Sequence, residues 1–185
     1  MASRLQNPLR PMNASALHRY VRLTARGSAL LFAAAQATPA FGPPAAGASR
    51  PLYLGFMAAH AVHFSVVARY AMVTGGRGLF PGGRSLNDVG GWPTVAGIYT
   101  FFAGLAGTGW AAGTPTATGK PRMQVAGRAA TGLIGAMFVG TYLGQLSRSR
   151  WYAVPAALVG TAVTANAVAR YRGGAAARAL PGVLP

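Results

Sequence analysis

Five apolar stretches, each long enough to cross a lipid bilayer as a helix, constrain the fold of this chain more than any other feature. A transmembrane helix needs about 20 predominantly apolar residues. The stretches cover residues 20–41, 52–74, 92–110, 125–147 and 151–171, with Trp or Tyr at many of their ends, as is typical of membrane interfaces. We therefore predict an all-α, polytopic integral membrane helical bundle with about five transmembrane helices.

The composition supports the membrane class and argues against two others. Hydrophobic residues make up 52% of the 185 residues, whereas charged residues make up only 10%. A soluble domain carries about 25% charged residues. A disordered basic segment lacks the apolar residues that are abundant here. A membrane protein is the class that remains.

Positive charge dominates the polar part of the sequence. The chain has 17 Lys and Arg residues and a single acid, Asp88, which gives a net charge of +16. The cations are spread in ones, twos and threes between the apolar stretches, whereas nucleic-acid binding requires a clustered basic face. This spacing is typical of Arg side chains that reach from helix ends toward lipid phosphates. We expect anionic lipids as partners and no nucleic acid.

The same cations predict the domain organisation and the orientation. We expect a basic N-terminal arm over residues 1–18, the helical bundle over residues 19–172 and a C-terminal tail over residues 173–185. Cations are more numerous on the side that carries the N-terminus, and five of them precede or open the first span: Arg4, Arg10, Arg19, Arg22 and Arg26. The positive-inside rule places that side in the cytoplasm. We expect a multi-pass protein of the bacterial cytoplasmic (inner) membrane.

Several kinds of catalytic site are excluded by missing residue types. With no Glu and one Asp, the chain cannot provide the two carboxylates of a glycosidase or a carboxylate cage for Mg²⁺. Without Cys it cannot provide thiolate ligands for a metal or an iron–sulfur cluster. We therefore expect a protein that is not an enzyme, or at most an electron-transfer subunit, with no catalytic residues.

Two histidines are the candidate binding residues. His60 and His63 are three residues apart in the second apolar stretch and so share one face of a helix. A charged imidazolium is costly inside a membrane, so both are expected to be neutral. Three roles fit neutral imidazoles there: they donate hydrogen bonds to neighbouring helices, for example to Thr100 or Tyr99, they ligate the metal of a haem b or a chlorin, or they line a pathway for protons or a ligand.

Three segments carry a resemblance to a known family. Residues 22–28 (RLTARGS), 50–63 (RPLYLGFMAAHAVH) and 119–123 (GKPRM) resemble segments of the ferric reductase-like membrane family, which includes the haem-binding membrane subunit of a methionine sulfoxide reductase system. The resemblance implies a transmembrane electron-transfer protein that binds haem b through His60 or His63. The chain departs from the family after residue 123, because no His follows His63 and the second axial ligand is missing.

Small residues recur every four positions in the predicted helices. The fourth stretch has such a stripe, which we call the glycine stripe: Gly132, Ala136, Gly140 and Gly144. Shorter series lie at Ala25, Ala29, Ala33 and Ala37 and at Ala156, Gly160 and Thr164. Small residues let helix backbones approach closely in lipid. The stripes therefore predict either packing within the chain or a face for a partner helix or a flat cofactor.

These features favour one function and leave a rival. We expect a non-catalytic integral membrane subunit that packs against other integral membrane subunits in a larger bacterial energy-converting complex, respiratory or photosynthetic. The rival is the haem-binding electron-transfer protein that the family resemblance implies.

Overall fold

The computed structural model describes residues 13–42, 47–77, 79, 84–113, 120–147 and 149–179. Within them lie five α-helices: α1 Ala14–Ala37, α2 Ser49–Thr74, α3 Gly91–Ala112, α4 Pro121–Leu143 and α5 Ala153–Ala179. The predicted all-α membrane bundle is confirmed for this part of the chain. Arg4 and Arg10 of the predicted N-terminal arm lie outside the described residues, as does the end of the predicted tail.

Three helical segments are long and apolar enough to span a membrane: Ser49–Thr74, Gly91–Ala112 and Arg150–Arg172. The other two helices, α1 and α4, have 24 and 23 residues and are long enough as well. They contain more cations, three Arg in the first 13 residues of α1 and two in the first half of α4.

The helix ends differ from the predicted stretches where capping residues and proline act. α1 begins six residues before the first apolar stretch because the Asn13 side chain caps it, accepting a hydrogen bond of 2.8 Å from the Ala16 N–H. It ends at Ala37, and the 3₁₀ turn Thr38–Phe41 follows, because Pro39 lacks the N–H that an α-helix needs. α2 ends at Gly75, whose φ of +66° suits glycine at a helix C-terminus.

The helices close into a ring around an aromatic core. α1 packs most extensively on α2, α3 packs on α4, and α5 lies against both α1 and α4. The contact between α2 and α3 is the sparsest in the ring. Core side chains come from all five helices and include Phe32, Phe56, Phe102, Ile134, Phe138 and Val159. Their rings meet mostly edge-on or tilted, which is the favourable arrangement for aromatic pairs.

Glycines on the inner face of α4 bring its neighbours close. A Cβ at Gly127 would collide with Ala112 of α3, and a Cβ at Gly135 would lie 2.8 Å from a methyl group of Val163 of α5. At Gly132, by contrast, a Cβ would have no described neighbour from another helix within 4 Å. The close helix approaches therefore use inner glycines that are separate from the glycine stripe.

The single acidic side chain, Asp88, forms hydrogen bonds in a turn between α2 and α3. The Asp88 Oδ2 atom accepts hydrogen bonds of 2.7 Å from both the backbone N–H and the hydroxyl of Ser85. These two bonds, with a smaller contribution from the nearby Arg84, lower the pKa of the exposed Asp88 carboxyl. Asp88 thus stabilises the turn and does not cap α3, whose N-cap is Gly90.

We predict opposite effects of the same substitution at two glycines of α4. Gly135→Ala should lower the free energy of unfolding by about 1–2 kcal/mol, because the added methyl group overpacks the contact with Val163. Gly132→Ala should leave it unchanged or raise it by up to about 1 kcal/mol, because alanine favours helix and the space is open. Unfolding in mixed detergent micelles, followed by circular dichroism, measures both. Equal destabilisation by the two would contradict this account of α4 packing.

Candidate functional site

His60 and His63 are each bonded to a hydroxyl group of α1. The Nδ1 atom of His60 lies 2.6 Å from Ser28 Oγ, and the Nδ1 atom of His63 lies 3.0 Å from Thr24 Oγ1. Two hydroxyls four residues apart on α1 thus match two imidazoles three residues apart on α2. The sequence prediction named Thr100 and Tyr99 as example partners, and this choice was wrong. Both hydroxyls belong to the segment 22–28.

The hydrogen bonds around Thr24 bear on the protonation of His63. The Thr24 hydroxyl lies 2.7 Å from the Tyr20 carbonyl oxygen and 3.2 Å from the Val21 carbonyl oxygen, as is common for threonine within a helix. When its one proton is donated to either carbonyl, Oγ1 accepts from an Nδ1–H of His63. In that tautomer the Nε2 atom of His63 has a lone pair that can accept a hydrogen bond or ligate a metal.

His60 is enclosed by aromatic rings. It is 6% exposed, its ring stacks on Phe102 at 4.0 Å between centroids, and the edge of Phe64 approaches to 4.2 Å. Phe56 and Phe138 complete the enclosure at longer distances. A porphyrin beside this ring would have to displace several core side chains. The packing therefore favours a structural role for His60 over ligation of a haem iron.

His63 borders a cavity, which we call the histidine cavity. It has a volume of about 350 Å³ and is lined by His63, Arg22, Arg26, Tyr99, Tyr142 and Gln145, among mainly apolar side chains. It lies toward the end of the bundle where α1 and α3 begin and where α2 and α4 end. Among the residues that the structure describes, no three His, Cys, Asp or Glu side chains are grouped closely enough to hold a metal ion. Of the two predicted histidines, His63 is the candidate ligand for a metal bound in this cavity.

The glycine stripe lies on the outer surface of the bundle. Ala136, Gly140 and Gly144 are exposed and Gly132 is half-buried, whereas the opposite face of α4 carries the core residues Ile134 and Phe138. Of the other small-residue series, Ala29 and Ala33 of α1 and Ala156 of α5 are buried in the core, whereas Thr164 is exposed. The sequence left two interpretations of the glycine stripe, packing within the chain or a face for a partner. Its exposed position does not fit packing within the chain.

A second polar site, which the sequence analysis did not identify, lies at the other end of the bundle. A cavity of about 160 Å³, which we call the basic cavity, is lined by residues of all five helices, including Gln36, Ser49, Arg50, Thr131, Arg128 and Arg170. The sequence analysis used these arginines only to predict orientation. They are 42 or more residues apart, so nothing in their spacing predicts that they meet.

Comparisons with protein-family models, with curated proteins and with solved structures found no match for this chain. The resemblance to the ferric reductase-like family therefore stays a prediction from the three segments that carry it.

We predict that the hydroxyl of Ser28 stabilises the bundle through His60. Ser28→Ala should lower the free energy of unfolding by about 1 kcal/mol, because a buried imidazole nitrogen loses its partner. Ser65→Ala is the control, since the exposed Ser65 hydroxyl bonds only within its own helix, to the Ala61 carbonyl at 3.0 Å. Unfolding in mixed micelles measures both variants. An effect of Ser28→Ala no larger than that of Ser65→Ala would contradict the role of the bond.

Proposed function

We propose that this protein is a non-catalytic subunit of a larger membrane complex and that the glycine stripe of α4 is its contact with another integral membrane subunit. The outward position of the stripe carries the proposal. Where the chain buries its other small-residue series, it does so against a neighbouring helix. The glycine stripe has the same spacing and no helix of the described fold against it.

Physical reasons favour a partner helix over lipid on this face. Glycine within a helix costs roughly 0.5–1 kcal/mol relative to alanine, so Gly132 and Gly140 facing lipid would weaken α4 without a compensating contact. A partner helix compensates, because it can approach the bare backbone closely and gain van der Waals contact. We place the complex in a bacterial inner membrane, with the N-terminus in the cytoplasm, as the cation distribution favours.

The test uses a leucine on the stripe. Gly140→Leu should leave the chain inserted and folded, because a side chain at this position meets open space. It should release the protein from its complex, because leucine holds the partner backbone away. Native gel electrophoresis of membranes solubilised in mild detergent should show most of the wild type at the mass of the complex and most of the variant at its own mass.

The matched control is Gly104→Leu on α3. Gly104 is also exposed, and a Cβ there also has no described neighbour from another helix within 4 Å. This variant should migrate like the wild type. If Gly140→Leu co-migrates with the complex as the wild type does, the glycine stripe is not the interface.

One observation favours the rival function, a haem-binding electron-transfer protein. His63 borders the histidine cavity together with Arg22 and Arg26, so an imidazole lies beside positive charges that suit the carboxylates of a haem. His63 would hold the iron, and the two arginines would bind the carboxylates. A haem there would supply one-electron transfer.

Visible spectra of the protein purified from its native membrane test this rival. A Soret band should be lost in His63→Ala and kept in His60→Phe, because phenylalanine keeps an aromatic ring at position 60 but cannot ligate iron. A colourless wild-type protein would refute haem binding. A band lost in His60→Phe and kept in His63→Ala would identify His60 as the iron ligand and contradict this assignment.

A further inference from the structure

The basic cavity brings three arginines from three helices together. Arg50 lies in the first turn of α2, Arg128 in the third turn of α4 and Arg170 in the second half of α5. Arg128 and Arg170 are near enough for their charges to repel each other. Bringing like charges together costs free energy unless an anion lies among them.

The chain has no acid to offset this repulsion. Its single carboxylate, Asp88, lies in the turn after α2, at the opposite end of the bundle from the basic cavity, and is bonded to Ser85. The sequence therefore has no acidic side chain that can balance the three arginines.

Each guanidinium is held in place by one contact. The Arg128 Nε atom donates to the Gln124 carbonyl oxygen at 3.2 Å, and the Arg170 Nε atom donates to Asn166 Oδ1 at 2.8 Å. Arg50 lies over the Trp110 ring, with its Cζ atom 4.6 Å from the centroid. Asn166 is fixed in turn, because its amide donates to Gln36 of α1.

These contacts leave the outer nitrogens available. An arginine has five N–H donors, four of them on its two Nη atoms. Within the described residues, the Nη atoms of Arg128 and Arg170 have no hydrogen-bond partner. The side chains are thus oriented through Nε while the Nη groups, which bind oxyanions in pairs, stay open.

We propose that the basic cavity binds a phosphate group, either the headgroup of an anionic phospholipid or free phosphate. A tetrahedral oxyanion presents oxygens in several directions and can accept from donors on three helices, whereas a carboxylate accepts mainly in one plane. The volume of about 160 Å³ suits a group of this size. The exposed Tyr171 beside Arg170 is a side chain typical of the depth of lipid headgroups.

The experiment measures thermal unfolding of the full-length protein in neutral detergent. Sodium phosphate is compared with sodium chloride at equal ionic strength, so that screening is the same in both. Phosphatidylglycerol, which is anionic, is compared with phosphatidylcholine, which is zwitterionic, in mixed micelles. We expect phosphate or phosphatidylglycerol to raise the melting temperature and their comparison compounds to leave it unchanged.

The variant is Arg128→Gln/Arg170→Gln, and its control is Arg122→Gln/Arg172→Gln. Both remove two charges from α4 and α5, but Arg122 and Arg172 do not line the basic cavity. The first variant should bind the phosphate group at least about tenfold more weakly, because two charged hydrogen-bond donors are lost. The control should bind as the wild type does.

A second readout separates binding from a merely structural role. Arg128→Gln/Arg170→Gln also removes the hydrogen bond from Arg170 to the buried Asn166, so each variant is compared with its own melting temperature without phosphate or anionic lipid. Binding at the basic cavity predicts that phosphate or phosphatidylglycerol raises the melting temperature of the wild type more than that of this variant. If the arginines only supported the fold, the variant would melt lower by the same amount in every solution.

The two sources of phosphate give different results. A response to phosphatidylglycerol alone identifies a lipid headgroup site, and a response to sodium phosphate alone identifies a site for free phosphate; both support the proposal. It is overturned if neither compound is preferred over its comparison, or if Arg128→Gln/Arg170→Gln responds as its control does. If the variant responds as its control does, the phosphate binds elsewhere. If neither compound is preferred, the arginines bind a different anion, such as an acidic side chain of a partner.

Discussion

Seventeen cations share this chain with one carboxylate, and that carboxylate is bonded to Ser85 in a turn. Positive charge therefore cannot be neutralised by ion pairs inside the fold. In a low-dielectric bilayer, uncompensated charges must lie at the helix ends, where water and lipid phosphates reach them. This requirement explains why cavities at both ends of the bundle are bordered by arginines, while the core between them is aromatic and aliphatic.

Inside the bundle, hydrogen bonds between neutral side chains take the place of ion pairs. Ser28 pairs with His60 across α1 and α2, and Gln36 pairs with Asn166 across α1 and α5. Within the described residues, no buried side-chain nitrogen or oxygen lacks a partner. Such bonds fix which helices adjoin α1, because an unpaired polar group in hydrocarbon is costly. The imidazole of His60 is then a packing residue with a polar tip, and His63 is the one histidine of the pair that borders a cavity.

The surfaces proposed for binding are separate. The glycine stripe faces outward along the second half of α4, where another helix would benefit from bare backbone. The basic cavity lies at one end of the bundle, where a phosphate group would meet arginines from three helices. A subunit with both could contact a neighbouring protein along one face and hold a lipid or a phosphate at its edge, and neither contact requires a catalytic residue.

The sequence by itself determined the class of protein and its five helices, because long apolar runs and a shortage of acids allow little else. It also placed His60 and His63 on one helix face, since a spacing of three residues does so in any α-helix. Only the tertiary structure decided that Ser28 and Thr24 are their partners and that the glycine stripe faces outward. It alone brings Arg50, Arg128 and Arg170 to one cavity. The physical reason is that periodicity defines the faces of a single helix, whereas which faces meet depends on the packing of all five, through contacts between residues far apart in the chain.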